Sequence, residues 1–363
     1  MINLNFHQKI IAIVMSIVLL SGYTLVYSAE ETEALKAIDK GLEWLRQKQE
    51  SDGTFGGYLG FTSLAVTAFL RHPSGKYKST EPFIEKTLNF IVSMQKEDGS
   101  IYDKRSQPAI PSYNTSVAIM ALVAANDSKY DAVIKKAQGY LKGAQCDEEE
   151  GCTPDNTSYG GISYGAGMPE RADLSNTSMA LQALKESNFE DKEAWSKAIK
   201  FLERCQNNSE TNDQPWTSND GGFIYNPGVK PGEEGTRSYG SMTYAGLMSF
   251  LYAGVDKNDQ RVQAAVDWIK RNYTVEENPP IGKSGLYYNY HTMAKALNAY
   301  GEPVITDATG QKHDWYKELA QKLVELQKPE GYWQNEEGRW METDPVLVTS
   351  YTVLALEAGF PEK

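Results

Sequence analysis

One sixteen-residue stretch limits what this chain can fold into more than any other: Pro111 to Asn126, P-S-Y-N-T-S-V-A-I-M-A-L-V-A-A-N, of which versions return five more times. The returns are F-T-S-L-A-V-T-A-F-L (Phe61 to Leu70), N-T-S-M-A-L-Q-A-L (Asn176 to Leu184), Y-G-S-M-T-Y-A-G-L (Tyr239 to Leu247), Y-H-T-M-A-K-A-L (Tyr290 to Leu297) and V-T-S-Y-T-V-L-A-L (Val348 to Leu356). Each opens on small hydroxyl, Gly or Asn residues suited to a helix cap and then runs apolar on nearly every face, which predicts a helix buried on most sides. Ahead of each lies an amphipathic segment ending in Gln or Asn and a Gly-bearing turn. The unit is therefore a helix hairpin of about 50 to 65 residues, and six copies favour one closed array over two separate domains.

The first outer helix is predicted over Glu33 to Gln47, with Ala34, Leu35, Ile38, Leu42 and Leu45 on one stripe. Corresponding segments follow in every repeat, with Trp44, Phe90, Tyr140, Phe201, Trp268 and, against the pattern, Val324 at one position. After each comes a turn glycine trailed two residues later by an apolar residue: Phe55, Ile101, Ile162, Phe223 and Trp333 follow Gly53, Gly99, Gly160, Gly221 and Gly331, while repeat five has Ser284 then Leu286. The glycine lets the chain reverse and the apolar residue pins the turn. Long inserts, Cys146 to Arg171 and Asn207 to Arg237, mark the face where such arrays commonly bind.

A net charge of -12 argues against nucleic acid or an anionic membrane surface as partner. Residues 1–28 read as an export leader, because Lys9 precedes an apolar run from Ile10 to Leu20 and Val26-Tyr27-Ser28 suits a signal peptidase. A single domain over 29–363 would then be secreted or periplasmic, monomeric and without a membrane span. Cys146 and Cys152 flank an acidic loop and are expected to pair in an oxidising compartment, leaving Cys205 as a buried thiol. The acidic run Asp147 to Glu150 reads as solvated.

The stretches G-L-E-W-L-R-Q-K-Q-E-S-D-G-T-F, T-L-N-F-I-V-S-M-Q-K-E-D-G-S-I and K-L-V-E-L-Q-K-P-E-G-Y-W resemble the QW repeat of squalene and oxidosqualene cyclases and the related repeat of protein prenyltransferase β subunits. The resemblance covers nearly the whole mature chain and implies an all-α fold, an (α/α)6 toroid of six helix hairpins. Six parallel inner helices would ring one mouth with their N-termini, where acids or an anionic ligand are favoured.

A class II terpene cyclase of this family protonates an alkene or epoxide with D-x-D-D-T at an inner-helix start. The matching stretch here is D-L-S-N-T, which keeps Asp173 but carries Ser175 and Asn176 in place of the other acids. No D-D-x-x-D motif for a diphosphate occurs. His291, in Y-N-Y-H-T, stands where the prenyltransferase zinc histidine does, but Arg237 and Tyr239 stand where Asp and Cys should, so neither metal nor cofactor is expected.

Tyrosines recur at the expected mouth: Tyr58, Tyr102, Tyr113, Tyr164, Tyr225, Tyr239, Tyr287, Tyr288 and Tyr290, with Arg237, His291, Asp173 and Asp344. The reading is a ligand-binding toroid whose likeliest ligand by resemblance is an isoprenoid or other extended molecule. Catalysis would be cyclase- or isomerase-like, with Asp173, His291 and Arg237 as catalytic candidates and Tyr164, Tyr239, Tyr288, Tyr290 and Asp344 contacting ligand. Two alternatives stay open, a polysaccharide-active enzyme with a glycan ligand and a non-catalytic binding or scaffold protein.

Overall fold

The computed structural model describes residues 28–104, 109–165, 169–228 and 234–361. Apart from Ser28, the predicted leader lies outside the described residues. Six hairpins follow one another: α1 (Ala29–Gln47) with α2 (Leu59–Leu70), α3 (Pro82–Ser93) with α4 (Pro111–Ala124), α5 (Asp131–Lys142) with α6 (Leu174–Glu186), α7 (Lys192–Cys205) with α8 (Gly240–Tyr252), α9 (Gln260–Asn272) with α10 (Leu286–Tyr300), and α11 (Trp315–Leu326) with α12 (Pro345–Glu357). A short antiparallel pair, β1 (Val304–Thr306) and β2 (Lys312–Asp314), separates α10 from α11. Helix α1 starts earlier than its apolar stripe implies because Ser28 and Glu31 form a capping box, Glu31 N to Ser28 Oγ at 3.1 Å and Ser28 N to Glu31 Oε2 at 2.6 Å.

The even-numbered helices pack side by side in chain order, and α12 packs back on α2, so the inner ring is closed. They are buried on almost every face, as their unbroken apolar runs require. The odd-numbered helices surround them and bury one stripe each; α7, for instance, buries Ala194, Ala198, Phe201 and Leu202. This is the predicted all-α toroid of six hairpins.

The repeated glutamine joins neighbouring outer helices. Gln49 Nε2 donates to Phe83 O at 2.8 Å, Gln95 to Val133 O at 2.9 Å, Gln145 to Ala194 O at 3.0 Å and Gln206 to Arg261 O at 2.8 Å. Gln327 donates to Ala37 O at 2.9 Å and so ties the last outer helix to the first. The turn glycine makes that approach possible: Gly160 has φ 86°, and a Cβ on it would stand 1.8 Å from Lys197 O. The threonine of each inner-helix start explains its own recurrence. Thr62, Thr115, Thr177, Thr243 and Thr349 accept, through Oγ1, the backbone N–H of Phe55, Ile101, Ile162, Phe223 and Trp333. Repeat five departs from all of this. Asn272 is too short to reach α11 and donates to Trp268 O in its own helix at 2.8 Å.

Candidate functional site

The inner helices begin together at one end. Gly60 of α2 lies beside Tyr113 and Asn114 of α4, Leu174 N donates to Tyr225 O at 2.8 Å, and Ser175 Oγ meets Tyr288 OH of α10 at 3.1 Å. Asp173 is the N-cap of α6 and is only 2% exposed. Its Oδ1 accepts from Asn176 N at 2.9 Å and its Oδ2 from Asn176 Nδ2 at 2.7 Å. Tyr225 also hydrogen-bonds the carboxyl and shares a 2.9 Å hydrogen bond with Tyr164. Burial pushes the Asp173 carboxyl up to about 6, against the Asn176 and Tyr225 hydrogen bonds that favour its ionised form.

Below that group a second aromatic tier crosses the ring. Tyr113 OH and Tyr351 OH share a 2.8 Å hydrogen bond, and the Tyr351 ring lies 5.8 Å from Tyr288 and 5.2 Å from His291. Ahead of the inner helices the described chain exposes several apolar side chains. Of the large hydrophobic side chains exposed among the described residues, Tyr58 (38%), Tyr164 (45%), Trp340 (44%) and Met341 (45%) all precede inner-helix starts, and Val304 of β1 stands apart. Trp340 and Met341 hold left-handed backbone, φ 57° and 65°, and Arg339 lies over the Trp340 ring at 4.3 Å.

The sequence candidates do not all meet. Asp173, Tyr164, Tyr239 and Tyr288 converge on the mouth, where burial raises the Tyr288 hydroxyl to about 12. Tyr290 does not join them: it is buried, packs 5.7 Å from Tyr287 and donates to Val275 O at 2.7 Å, so it belongs to the wall between α10 and the chain after α9. Asp344 caps α12, accepting from Val346 N at 2.8 Å. Arg237 is exposed in the chain leading to α8. His291 lies on the second turn of α10, where burial, then the charges of Lys295 and Arg71, lower its pKa to about 3 and keep the imidazole neutral. That state does not suit a proton donor at neutral pH.

Cys146 and Cys152 are joined by a disulfide. The acidic run between them is not simply solvated, as its charge suggested. Asp147 is buried, and Lys197 Nζ bridges Asp147, Glu148 and Glu193 at 2.9 Å each. Among the described residues no group of three or more His, Cys, Asp or Glu side chains is placed to hold a metal ion.

Sequence reasoning missed Glu342. Its Oε1 accepts from Tyr288 N at 2.7 Å, and its Oε2 from Tyr287 N at 3.2 Å and Asn335 Nδ2 at 2.7 Å. It caps α10 from outside that helix, so no local motif announces it. Tyr351 and Trp340 were missed too, the first hidden in an apolar run and the second in a segment that does not repeat.

Comparison with known proteins agrees with this geometry. The squalene-hopene cyclase C-terminal domain family matches residues 60–225, and the prenyltransferase α/α toroid domain family matches residues 176–282. Both matches support the resemblance to the terpenoid cyclase and prenyltransferase toroid superfamily. A probable squalene–hopene cyclase of Sinorhizobium fredii (strain NBRC 101917 / NGR234) is 27% identical to this toroid over 133 residues, which is 33% of this chain and 20% of that protein's length. The type II terpene cyclase MstE from Scytonema, in a complex with its product merosterolic acid A, superposes with TM-score 0.57 at 14% identity, covering 91% of this chain and 97% of that one. A family 76 glycoside hydrolase from a bovine Bacteroides thetaiotaomicron strain superposes with TM-score 0.56 at 12% identity, covering 89% and 77%. At such identities the structural likenesses speak for the fold alone.

Proposed function

We propose that this toroid is an exported, monomeric protein that takes an isoprenoid or comparably extended apolar ligand at its mouth. The support for the reading is that four of the large hydrophobic side chains exposed among the described residues, Tyr58, Tyr164, Trp340 and Met341, lie in the chain ahead of inner-helix starts, as the buried Asp173 carboxyl does. Exposed apolar side chains along the chain ahead of these helices favour an apolar ligand. The disulfide supports an oxidising compartment.

Asp173 is the group the chemistry would turn on. Both hydrogen bonds from Asn176 stabilise its ionised form, and a lone carboxyl with a pKa of about 6 is far too weak an acid to protonate an alkene. It is well matched to holding a cation or relaying a proton, so isomerase-like chemistry suits the site better than protonation-initiated cyclisation.

The test is binding of geranylgeraniol to delipidated protein, followed by tryptophan fluorescence. Wild type should bind, and Tyr164→Ala and Trp340→Ala should each weaken binding at least fivefold. Absence of binding to the alcohol, with binding to a neutral oligosaccharide such as cellohexaose, would overturn the reading in favour of a glycan ligand stacked on the same rings.

A further inference from the structure

The inner helices end, opposite the mouth, on charged groups. Arg71 is the C-cap of α2, Glu186 and Glu357 are the last residues of α6 and α12, and Lys295 lies one turn beyond His291 on α10. A carboxylate at a helix C-terminus faces the negative end of the dipole, so two of them here are unfavourable unless something compensates. Glu186 is compensated. It is ion-paired with Arg71, lies 3.8 Å from Lys295 Nζ and accepts from Gln182 Nε2 at 2.8 Å. Although burial raises its pKa, Arg71 and Lys295 outweigh that and hold it below the ordinary range.

Glu357 is not compensated in this way. It is 7% exposed, and neither of its carboxyl oxygens has a hydrogen-bond partner among the described residues. Burial raises its pKa well above the usual range, with only longer-range attraction from Arg71 and Lys295 opposing it. One turn above Lys295, His291 Nδ1 is likewise without a partner. With Glu357 neutral, Arg71 and Lys295 outnumber the single carboxylate of Glu186, and the floor carries one net positive charge. It is not sealed, because the Arg71, Glu186 and Lys295 side chains keep 24%, 18% and 12% of their surface accessible.

We propose that this floor is a binding site for the carboxylate head of an extended apolar acid. The head would accept from Arg71 and Lys295, balance the residual charge, and accept the Glu357 O–H that lacks a partner in the free protein. The inference rests on the mouth reading and names the ligand class more closely.

Geranylgeranoic acid and geranylgeraniol, compared by calorimetric titration at pH 7.5, separate the two readings. Wild type should bind the acid at least tenfold more tightly than the alcohol. Lys295→Gln leaves the Arg71–Glu186 pair intact, and it should bring the two ligands within twofold without weakening the alcohol. Lys295→Arg should retain the preference and guards against a mere folding defect, as does a thermal melt of each variant. Glu357→Gln should keep most of the preference and Glu357→Leu should lose it. Equal affinity of wild type for acid and alcohol, or a preference that survives Lys295→Gln, would overturn this inference and leave the mouth reading standing. Loss of both ligands from wild type would overturn the mouth reading itself.

Discussion

The two ends of the inner ring use charge in opposite ways. At the mouth the carboxylates of Asp173, Asp344 and Glu342 cap helix N-termini, where backbone N–H groups and the positive end of the dipole favour them. At the floor Glu186 and Glu357 sit against the negative ends; Arg71 and Lys295 hold Glu186 ionised, while burial raises the Glu357 carboxyl. Capping accounts for the mouth's acids, so what distinguishes the mouth is its exposed aromatic surface. Capping does not account for the floor's acids, so there the charges themselves ask for an explanation.

The largest test of that contrast is at the floor. Arg71→Ala leaves Glu186 with only Lys295, 3.8 Å away, and should lower stability by about 2–3 kcal/mol in urea unfolding, whereas Arg71→Gln with Glu186→Gln should recover most of the loss. A floor that tolerates Arg71→Ala would be no more than solvated surface.

At the mouth, Asp173→Asn should act through pH. The native state binds this proton more tightly than the unfolded chain, since the folded pKa is about 6 against 3.8. The resulting penalty is therefore absent below the lower value, grows between the two, and is complete above the higher, amounting to about 3 kcal/mol. Wild type should lose stability relative to the Asn variant across that window. Asn is itself a good cap, and the unpartnered Asn176 Oδ1 can accept the new amide.

Glu342→Ala should cost about 2 kcal/mol by uncapping α10 and orphaning Asn335, with faster amide exchange at Tyr287 and Tyr288 as its local signature. The smallest effect is expected of Tyr164→Phe, about 0.5 kcal/mol from the lost bond to Tyr225, with ligand affinity kept because the ring remains.

How much of this could be read from residues alone depended on whether a feature repeats. The glutamine and the turn glycine recur because each does one job at one seam, so periodicity exposed them and with them the fold; the inner-helix threonine was visible only among the small residues read as helix caps, whereas it accepts the N–H of the preceding turn. Asp173 was legible as a helix-start acid because its cap position is local. Glu342 was not, since it serves a helix that begins more than fifty residues earlier. Tyr290 was misplaced for a related reason. Its spacing puts it on α10, but only the neighbouring chain at Val275 decides which side of that helix it serves. The floor cluster joins α2, α6, α10 and α12, a grouping that appears only once the ring closes.

That closure has a consequence for how the chain can be made and rearranged. The bond from Gln327 to Ala37 spans 290 residues yet differs little from the seams between adjacent repeats. With five of the six outer seams made by the same glutamine, those seams single out no first hairpin. New termini opened at another seam, with the original ends joined by a short flexible linker, should give a permuted protein with the same ring, because closure entropy rises only slowly with loop length. In the natural order the final hairpin completes the circle, so a nascent chain stays an open arc, with α2 lacking one neighbour, until α12 has emerged.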